Sequence, residues 1–316
     1  MVEIVRLKRK PPVLTPSSIP CLRGLPTINM TQGCSLGCTY CYIQGYRGYP
    51  GSDQVILFEN TAEVVQEELR RKRNKPRRIY FSPSSDAFQY LPAVREVTYA
   101  TIRVLLEAGI EVSFLTKGFV DQRFIDLFRQ HAQRVQAQVG ITSLDTRLLR
   151  MFEPRAAPPE MRLEMMRTLH QVGVRTTARL DPLIPDITDA RPNLEPLFAA
   201  LHDAGITEAA ASYVFLRPAF RHRFSAQLTE LGAGQSVNPR AWPHQDFDNG
   251  CSGGSCIEID ERRVRFGRIA ELAERFGINI RVCRCKNPSL ATGTCQIAGI
   301  PDGPVDEHAH NDSWLF

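Results

Sequence analysis

The chain has 316 residues, 43% of them hydrophobic and 23% charged, and carries a formal net charge of +5 at pH 7. That balance excludes a disordered or low-complexity chain and leaves ample material for a core. No apolar run approaches the roughly 18 residues of a membrane span, and the opening MVEIVRLKRKPP lacks the apolar stretch of a secretory signal, so a cytoplasmic location is expected.

Strand-like and helix-like segments alternate along the chain. Pro26–Met30 reads as a short strand leading into a cysteine-rich loop. Thr61–Asn74 reads as a helix with Thr61 placed to cap it. The strand candidates Arg78–Ser82, Glu111–Thr116 and Val135–Thr142 are followed by the helix candidates Val94–Ala108, Asp121–His131 and Pro159–Val172. Arg175–Ile184 and Glu208–Leu216 complete the strands, followed by helices over Asn193–Ala204 and on to Leu231. Such alternation implies βαβ units and a parallel sheet. Gly109, Gly173 and Gly205 fall where a helix must close before the next strand. The expected fold is α/β, a partial (β/α)6 TIM-type barrel with a cysteine-rich C-terminal extension. Its divisions are an N-terminal arm over 1–26, the barrel over 27–232, and the extension over 233–316. Within the extension Glu261–Phe276 reads as a helix and Asn279–Val282 as a short strand. The basic spots Arg6–Lys10, Arg70–Arg78 and Arg217–Arg223 read as solvated faces.

Nine cysteines need a reason in a chain with no export signal. Reducing compartments disfavour disulfides, so clustered thiols point to metal or redox chemistry. Cys34, Cys38 and Cys41 form a C-x3-C-x2-C run directly after the first strand, at the end of a barrel where chemistry sits. A cubane iron–sulfur cluster usually takes four thiolates. Here the loop supplies three, which leaves one iron open to an exogenous ligand. A structural zinc site, the alternative, usually shows paired C-x2-C knuckles.

The run GCSLGCTYCYIQ at Gly33–Gln44, with Tyr40 before the last cysteine, resembles the signature of the radical S-adenosylmethionine (SAM) superfamily. SPSSDAFQ at Ser82–Gln89, FLTKG at Phe114–Gly118, VGITS at Val139–Ser143 and FEPRAAPPEMR at Phe152–Arg162 extend the resemblance to its spore photoproduct lyase-like branch, which includes proteins labelled DNA repair photolyases. The resemblance implies a [4Fe-4S] cluster whose open iron is chelated by SAM. It implies reductive cleavage to a 5′-deoxyadenosyl radical, which takes a hydrogen atom from an organic substrate. A reductant such as flavodoxin or ferredoxin would supply the electron. Nucleic acid is the suggested substrate, with a peptide or small molecule left open.

Carried over residue by residue, Ser84, Ser85 and Asp86 would face the amino end of SAM, Lys117 its carboxylate, and Ser143 its ribose. Tyr40 would also line the cofactor, and Arg179 would reach the carboxylate or the substrate. A zwitterionic cofactor wants an acceptor for its ammonium and a cation for its carboxylate. One departure stands out. Spore photoproduct lyase has a hydrogen-donating cysteine in the turn after its second strand, and the aligned residue here is Pro83.

Cys21 stands alone, and the other five thiols gather toward the other end, as Cys251, Cys256, Cys283, Cys285 and Cys295. A second [4Fe-4S] cluster, a structural zinc and a redox dithiol are all compatible with this set. Cys256, Cys283, Cys285 and Cys295 are the preferred ligands, with Cys251 a spare thiol and candidate hydrogen donor. His308 and His310 read as part of a loose tail. Tyr40, Tyr42, Tyr46 and Tyr49 surround the first loop and could shield it from water. Two other readings are a non-catalytic iron–sulfur electron carrier and a zinc-stabilised nucleic-acid-binding protein. The first needs no SAM pocket, and the second would carry more positive charge.

Overall fold

The computed structural model describes residues 2–17, 22, 24–231, 239, 241–245, 254–283 and 286–292. The chain opens with β1 (Glu3–Leu7), β2 (Thr15–Pro16), β3 (Pro26–Ile28), β4 (Thr31–Gln32) and β5 (Gln54–Phe58). It then alternates through α1 (Thr61–Arg71), β6 (Arg78–Phe81), α2 (Pro92–Glu107), β7 (Glu111–Thr116), α3 (Gln122–Gln130) and β8 (Val135–Gly140). Next come α4 (Thr146–Phe152), α5 (Pro159–Gln171), β9 (Arg175–Leu183), α6 (Arg191–Asp203), β10 (Glu208–Tyr213) and α7 (Pro218–Glu230). The end holds β11 (His244–Gln245), β12 (Gly254–Ser255), α8 (Ile259–Glu274) and β13 (Asn279–Val282). No described helix is long and apolar enough to cross a membrane.

Eight strands form one sheet in the order β13-β10-β9-β8-β7-β6-β3-β2. From β3 to β13 every neighbouring pair is parallel, and β2 closes one edge antiparallel. The six expected strands are therefore present as a partial barrel, open between its two edges. Alternation along each strand divides the faces. Val135, Ala137 and Val139 of β8, and Ala178 and Leu180 of β9, pack into the core with helix residues such as Leu105, Met166, Leu169 and Phe198. Gln136 and Gln138 of β8, and Thr177 and Arg179 of β9, alternate with them and face the concave side, all buried. Tyr80 and Leu115, which also alternate with core residues, pack with Leu22 and Leu25. Gly109, Gly173 and Gly205 take φ of +78°, +83° and +79°, so each ends its helix as expected.

Three features depart from the sequence reading or add to it. The N-terminal arm contains β1, which pairs in parallel with β5 in a separate three-stranded sheet. Thr61 is the first residue of α1 and not its cap; its hydroxyl donates to the Phe58 carbonyl at 2.6 Å. In the extension, β13 joins β10 as a seventh parallel strand, and Ser255 bridges to Leu216. Part of the extension is thus continuous with the barrel sheet.

Candidate active site

The cysteine loop follows β3 and β4 at the C-terminal end of the barrel strands, and its backbone is clamped from several sides. The Ser35 N–H donates to Gln89 Oε1 at 2.5 Å, while Gln89 Nε2 donates to Thr31 Oγ1 and to the Asp86 carbonyl. The Thr39 N–H donates to the Phe152 carbonyl at 2.8 Å, and the Arg155 N–H to the Leu36 carbonyl at 3.2 Å. Gly37 has φ of +67°, and a Cβ there would come within 2.7 Å of the Arg155 guanidinium. Glycine takes that left-handed backbone without strain.

Beneath the loop lies a buried ion pair. Glu153 and Arg162 face each other with both side chains 1% exposed. Arg162 also donates to the carbonyls of Ala157 at 2.6 Å and Gly140 at 2.7 Å, which ties the pair to β8. The Tyr40 hydroxyl donates to Glu153. Burial opposes ionisation of Glu153, yet Arg162 and Lys117 outweigh it and hold the carboxylate below its ordinary range. The 152–162 stretch noted in the sequence is therefore the plate on which the cysteine loop rests.

The strand ends supply the rest of the site. Asp86 is buried, and its carboxylate accepts from the Phe88 N–H at 2.8 Å, the Thr116 hydroxyl at 2.9 Å, and the N–H groups of Lys117 at 2.8 Å and Gly118 at 3.3 Å. This acceptor is expected to face the cofactor, and its carboxylate also joins the loops after β6 and β7. Ser84 donates its backbone N–H to Asn29 Oδ1 at 2.9 Å. The Ser85 hydroxyl is buried with no hydrogen-bond partner among the described residues. Ser143 is fully buried, and its hydroxyl oxygen accepts from the Asp145 N–H at 3.0 Å just before α4. The Tyr42 hydroxyl donates to the carbonyl of Pro83.

Lys117 extends from the end of β7 across β8. Gly140 makes room for it, since a Cβ there would lie 2.8 Å from the Lys117 chain. Its Nζ donates to the Asp181 carbonyl at 3.0 Å and sits 5.5 Å from the Tyr40 ring centroid. The Asp181 side chain accepts from Arg179 at 2.8 Å and from Lys286 at 2.9 Å through both oxygens. Burial works against the Asp181 charge, but Lys286, Arg179 and Lys117 override it and hold the carboxyl far below its ordinary value. Three cations thus converge on one residue.

The three thiols lie within electrostatic reach of one another. Burial pushes each of them up, and at Cys41 the cations Lys117, Lys286 and Arg217 pull the other way. A metal ligand must be the thiolate, so these cations suit the charge that a bound cluster would bring. Among the described residues no three His, Cys, Asp or Glu side chains converge as a single-ion site. A cubane asks for something different, since it spreads its thiolates over separate irons. The loop therefore fits the cluster: its backbone is fixed and its thiols are mutual neighbours, with cations acting on Cys41 while Asp86 and Glu153 act on Cys34 and Cys38.

Of the C-terminal thiols, Cys256 and Cys283 are buried. Cys251, Cys285 and Cys295 lie outside the described residues, as do His308 and His310. Lys286 links the two ends of the chain, acting on Asp181 and lying within electrostatic reach of both Cys41 and Cys256. Asp181, Glu153, Arg162 and Lys286 were not singled out from sequence. Asp181 had a signal, since it shares the concave face of β9 with Arg179 by period-2 alternation.

A family model described as the radical SAM superfamily matches residues 28–193, from β3 into α6. The chain belongs to the radical SAM superfamily. An uncharacterized protein of Mycobacterium tuberculosis is 28% identical over 224 residues, which cover 67% of this chain and 66% of that protein. One from Methanocaldococcus jannaschii is 27% identical over 192 residues, covering 60% of this chain and 70% of the other. The chain thus spans just under two thirds of the length of its mycobacterial relative. Among solved structures, a mutant spore photoproduct lyase with bound AdoMet and dinucleoside spore photoproduct superposes with a TM-score of 0.66. That match covers 88% of this chain and 81% of the other at 15% identity, a likeness of fold. The family model begins at the strand before the cysteine loop and runs past Lys117, Glu153, Arg162 and Asp181, so this radical SAM chain carries those groups within its family domain.

Proposed function

We propose that this chain is an enzyme that reductively cleaves SAM at a [4Fe-4S] cluster held by Cys34, Cys38 and Cys41, and then removes a hydrogen atom from an organic substrate. The observation that carries this reading is one clamped loop of three neighbouring thiols, faced by Lys117 from the end of β7. When bound, cluster and SAM supply one-electron cleavage of a carbon–sulfur bond and the carbon radical that results. The protein binds, orients and shields. Lys117 takes the cofactor carboxylate, its position set by the Asp181 carbonyl and the gap over Gly140. Ser85 offers to the ammonium a buried hydroxyl with no competing partner among the described residues. Asp86 acts at one remove, since it fixes the backbone of Lys117 and Gly118. Arg179 holds Asp181, and Tyr40 carries the Glu153 network up to the cysteine loop.

Nucleic acid is the proposed substrate class, supported by the fold shared with a lyase seen with a dinucleoside photoproduct. Pro83 bears no S–H or O–H group, so any return of hydrogen to the substrate uses another side chain. Cys256, Cys283, Cys285 and Cys295 are proposed to hold a second [4Fe-4S] cluster or zinc. A reductant such as flavodoxin or ferredoxin supplies the electron.

The test is anaerobic reconstitution with iron and sulfide, followed by SAM and dithionite. Formation of 5′-deoxyadenosine is expected. A reconstituted cluster that never cleaves SAM would favour the electron-carrier reading, and zinc in place of iron at Cys34–Cys41 would end the proposal.

A further inference from the structure

β9 and β10 pair in step through Ala178 with Ala209, Arg179 with Ala210 and Leu180 with Ala211, and the next pair is Leu183 with Tyr213. Three steps along β9 therefore meet two along β10, so Asp181 and Pro182 together face the single position of Ser212. Such a bulge frees part of a strand from its ladder and re-aims its side chains. Pro182 has no N–H to return to the sheet. The Asp181 carbonyl that receives Lys117 Nζ at 3.0 Å thus lies on the stretch of β9 that the ladder holds least. Its position falls to the Asp181 side chain.

That carboxylate meets two cations. Arg179 belongs to β9 itself, so its contacts at 2.8 and 3.2 Å move with the strand. Lys286 comes from beyond β13 and lies 2.9 Å from both carboxylate oxygens. β10 stands between β9 and β13 in the sheet, so this contact spans the end of a strand. The turn that presents Lys286 is itself anchored. The Asn287 N–H donates to the Cys283 carbonyl at 3.1 Å, and Asn287 Oδ1 accepts from Arg262 Nη1 of α8 at 2.8 Å. Arg262 also donates to Gln245 Oε1 at 2.7 Å, and both Arg262 and Asn287 are buried. The Asp181 side chain is 12% exposed and that of Lys286 34%, so the pair is better sheltered from water and salt than an ordinary surface pair. A fixed piece of the C-terminal extension therefore holds the bulge of β9 that aims Lys117.

We infer that Lys286 is a positioning residue of the SAM site. By pinning the Asp181 carboxylate at the bulge it fixes the carbonyl that receives Lys117 Nζ, and with it the reach of Lys117 toward the cofactor carboxylate. The inference deepens the radical SAM reading and rests on it for the role of Lys117. It makes the C-terminal extension part of the cofactor site, although Lys286 lies well beyond the residues 28–193 that match the family model.

SAM binding is measured by equilibrium dialysis on the full chain, reconstituted anaerobically, with the cubane resonance of the first site read in parallel. Lys286→Met should weaken SAM binding roughly tenfold while that resonance stays as in the unaltered chain. Lys286→Arg, which keeps the cation, should restore most of the affinity. Combination with Lys117→Met separates positioning from direct contact. If Lys286 works through Lys117, adding Lys286→Met to Lys117→Met should cost nothing more, because residues coupled in one network are not additive. A second route is Asp181→Asn, which keeps the carbonyl and removes the charge that Lys286 holds. It should show a loss of similar size that Lys286→Met does not deepen. Equal SAM affinity for Lys286→Met and the unaltered chain would overturn the inference. A further full loss in the Lys117→Met background would do so too, since Lys286 would then meet the cofactor itself. Loss of the cubane resonance together with affinity would place the damage at the thiols and overturn it as well. Failure of the unaltered chain to bind SAM would instead strike the radical SAM reading itself.

Discussion

The two cysteine groups of this chain are held in opposite ways. Cys34, Cys38 and Cys41 share a single loop, whose backbone is fixed by Gln89, Phe152 and Arg155 and whose base is the Glu153–Arg162 pair. Cys256 and Cys283 are separated by the whole of α8, and they come to the same end of the sheet only because β12 bridges Leu216 and β13 pairs with β10. A local loop writes its chemistry into its spacing. A site assembled from distant segments depends on the fold around it.

The sharpest way to break this contrast is to remove one thiol from each group. Cys38→Ala should abolish SAM cleavage and the cubane signal of the first site. Cys283→Ala should leave that signal in place and lower total metal content, measured by iron and zinc analysis with electron paramagnetic resonance. Equal loss in both variants would mean that the groups form one centre.

Next in size is the buried pair. Arg162→Met leaves Glu153 buried without its cation, a change worth about 3–5 kcal/mol. Chemical denaturation should show that loss. The double variant Arg162→Met/Glu153→Gln should recover part of it, because it removes the stranded charge as well. A single variant as stable as the unaltered chain would show that the loop does not rest on this pair.

Lys117→Met should weaken SAM binding by roughly 10–100-fold, the worth of a charge-assisted hydrogen bond of about 1.5–3 kcal/mol. Equilibrium dialysis on the reconstituted chain measures it. The Asp86→Asn variant should act differently, through the loop that presents Lys117, with a loss of thermal stability accompanying any loss of affinity.

The smallest expected effect concerns pH. Asp181 ionises in the folded chain far below its unfolded value of about 3.9, because Lys286, Arg179 and Lys117 outweigh its burial. A depressed folded value contributes stability above the unfolded one, and that contribution is lost as pH falls toward the folded one. Asp181→Asn should therefore be less stable at pH 7, and its stability should fall less steeply than the parent's below about pH 5. Parallel curves for the two chains would show that Asp181 adds nothing to the link between β9 and Lys286.

Much of this was legible in the sequence. The six parallel strands follow from hydrophobic segments spaced for βαβ units, and the helix-ending glycines take the positive φ that their positions implied. The cysteine loop was legible because its ligands are neighbours in the chain. Asp86 was legible as a site residue, and only the tertiary structure shows the four donors on its carboxylate. Thr61 was read as a cap because threonine suits that position, but the turn of the chain places it one residue inside the helix.

By itself, then, the sequence determined the α/β alternation, the three-thiol loop and the cation at the end of β7, since each rests on local spacing and periodicity. Only the tertiary structure decided that Glu153 and Arg162 neutralise each other under that loop, and that Lys286 reaches Asp181 across more than a hundred residues of chain. The reason is physical. Local backbone preferences act between near neighbours, whereas a buried charge is satisfied by whichever partner the fold brings beside it, however far away in sequence.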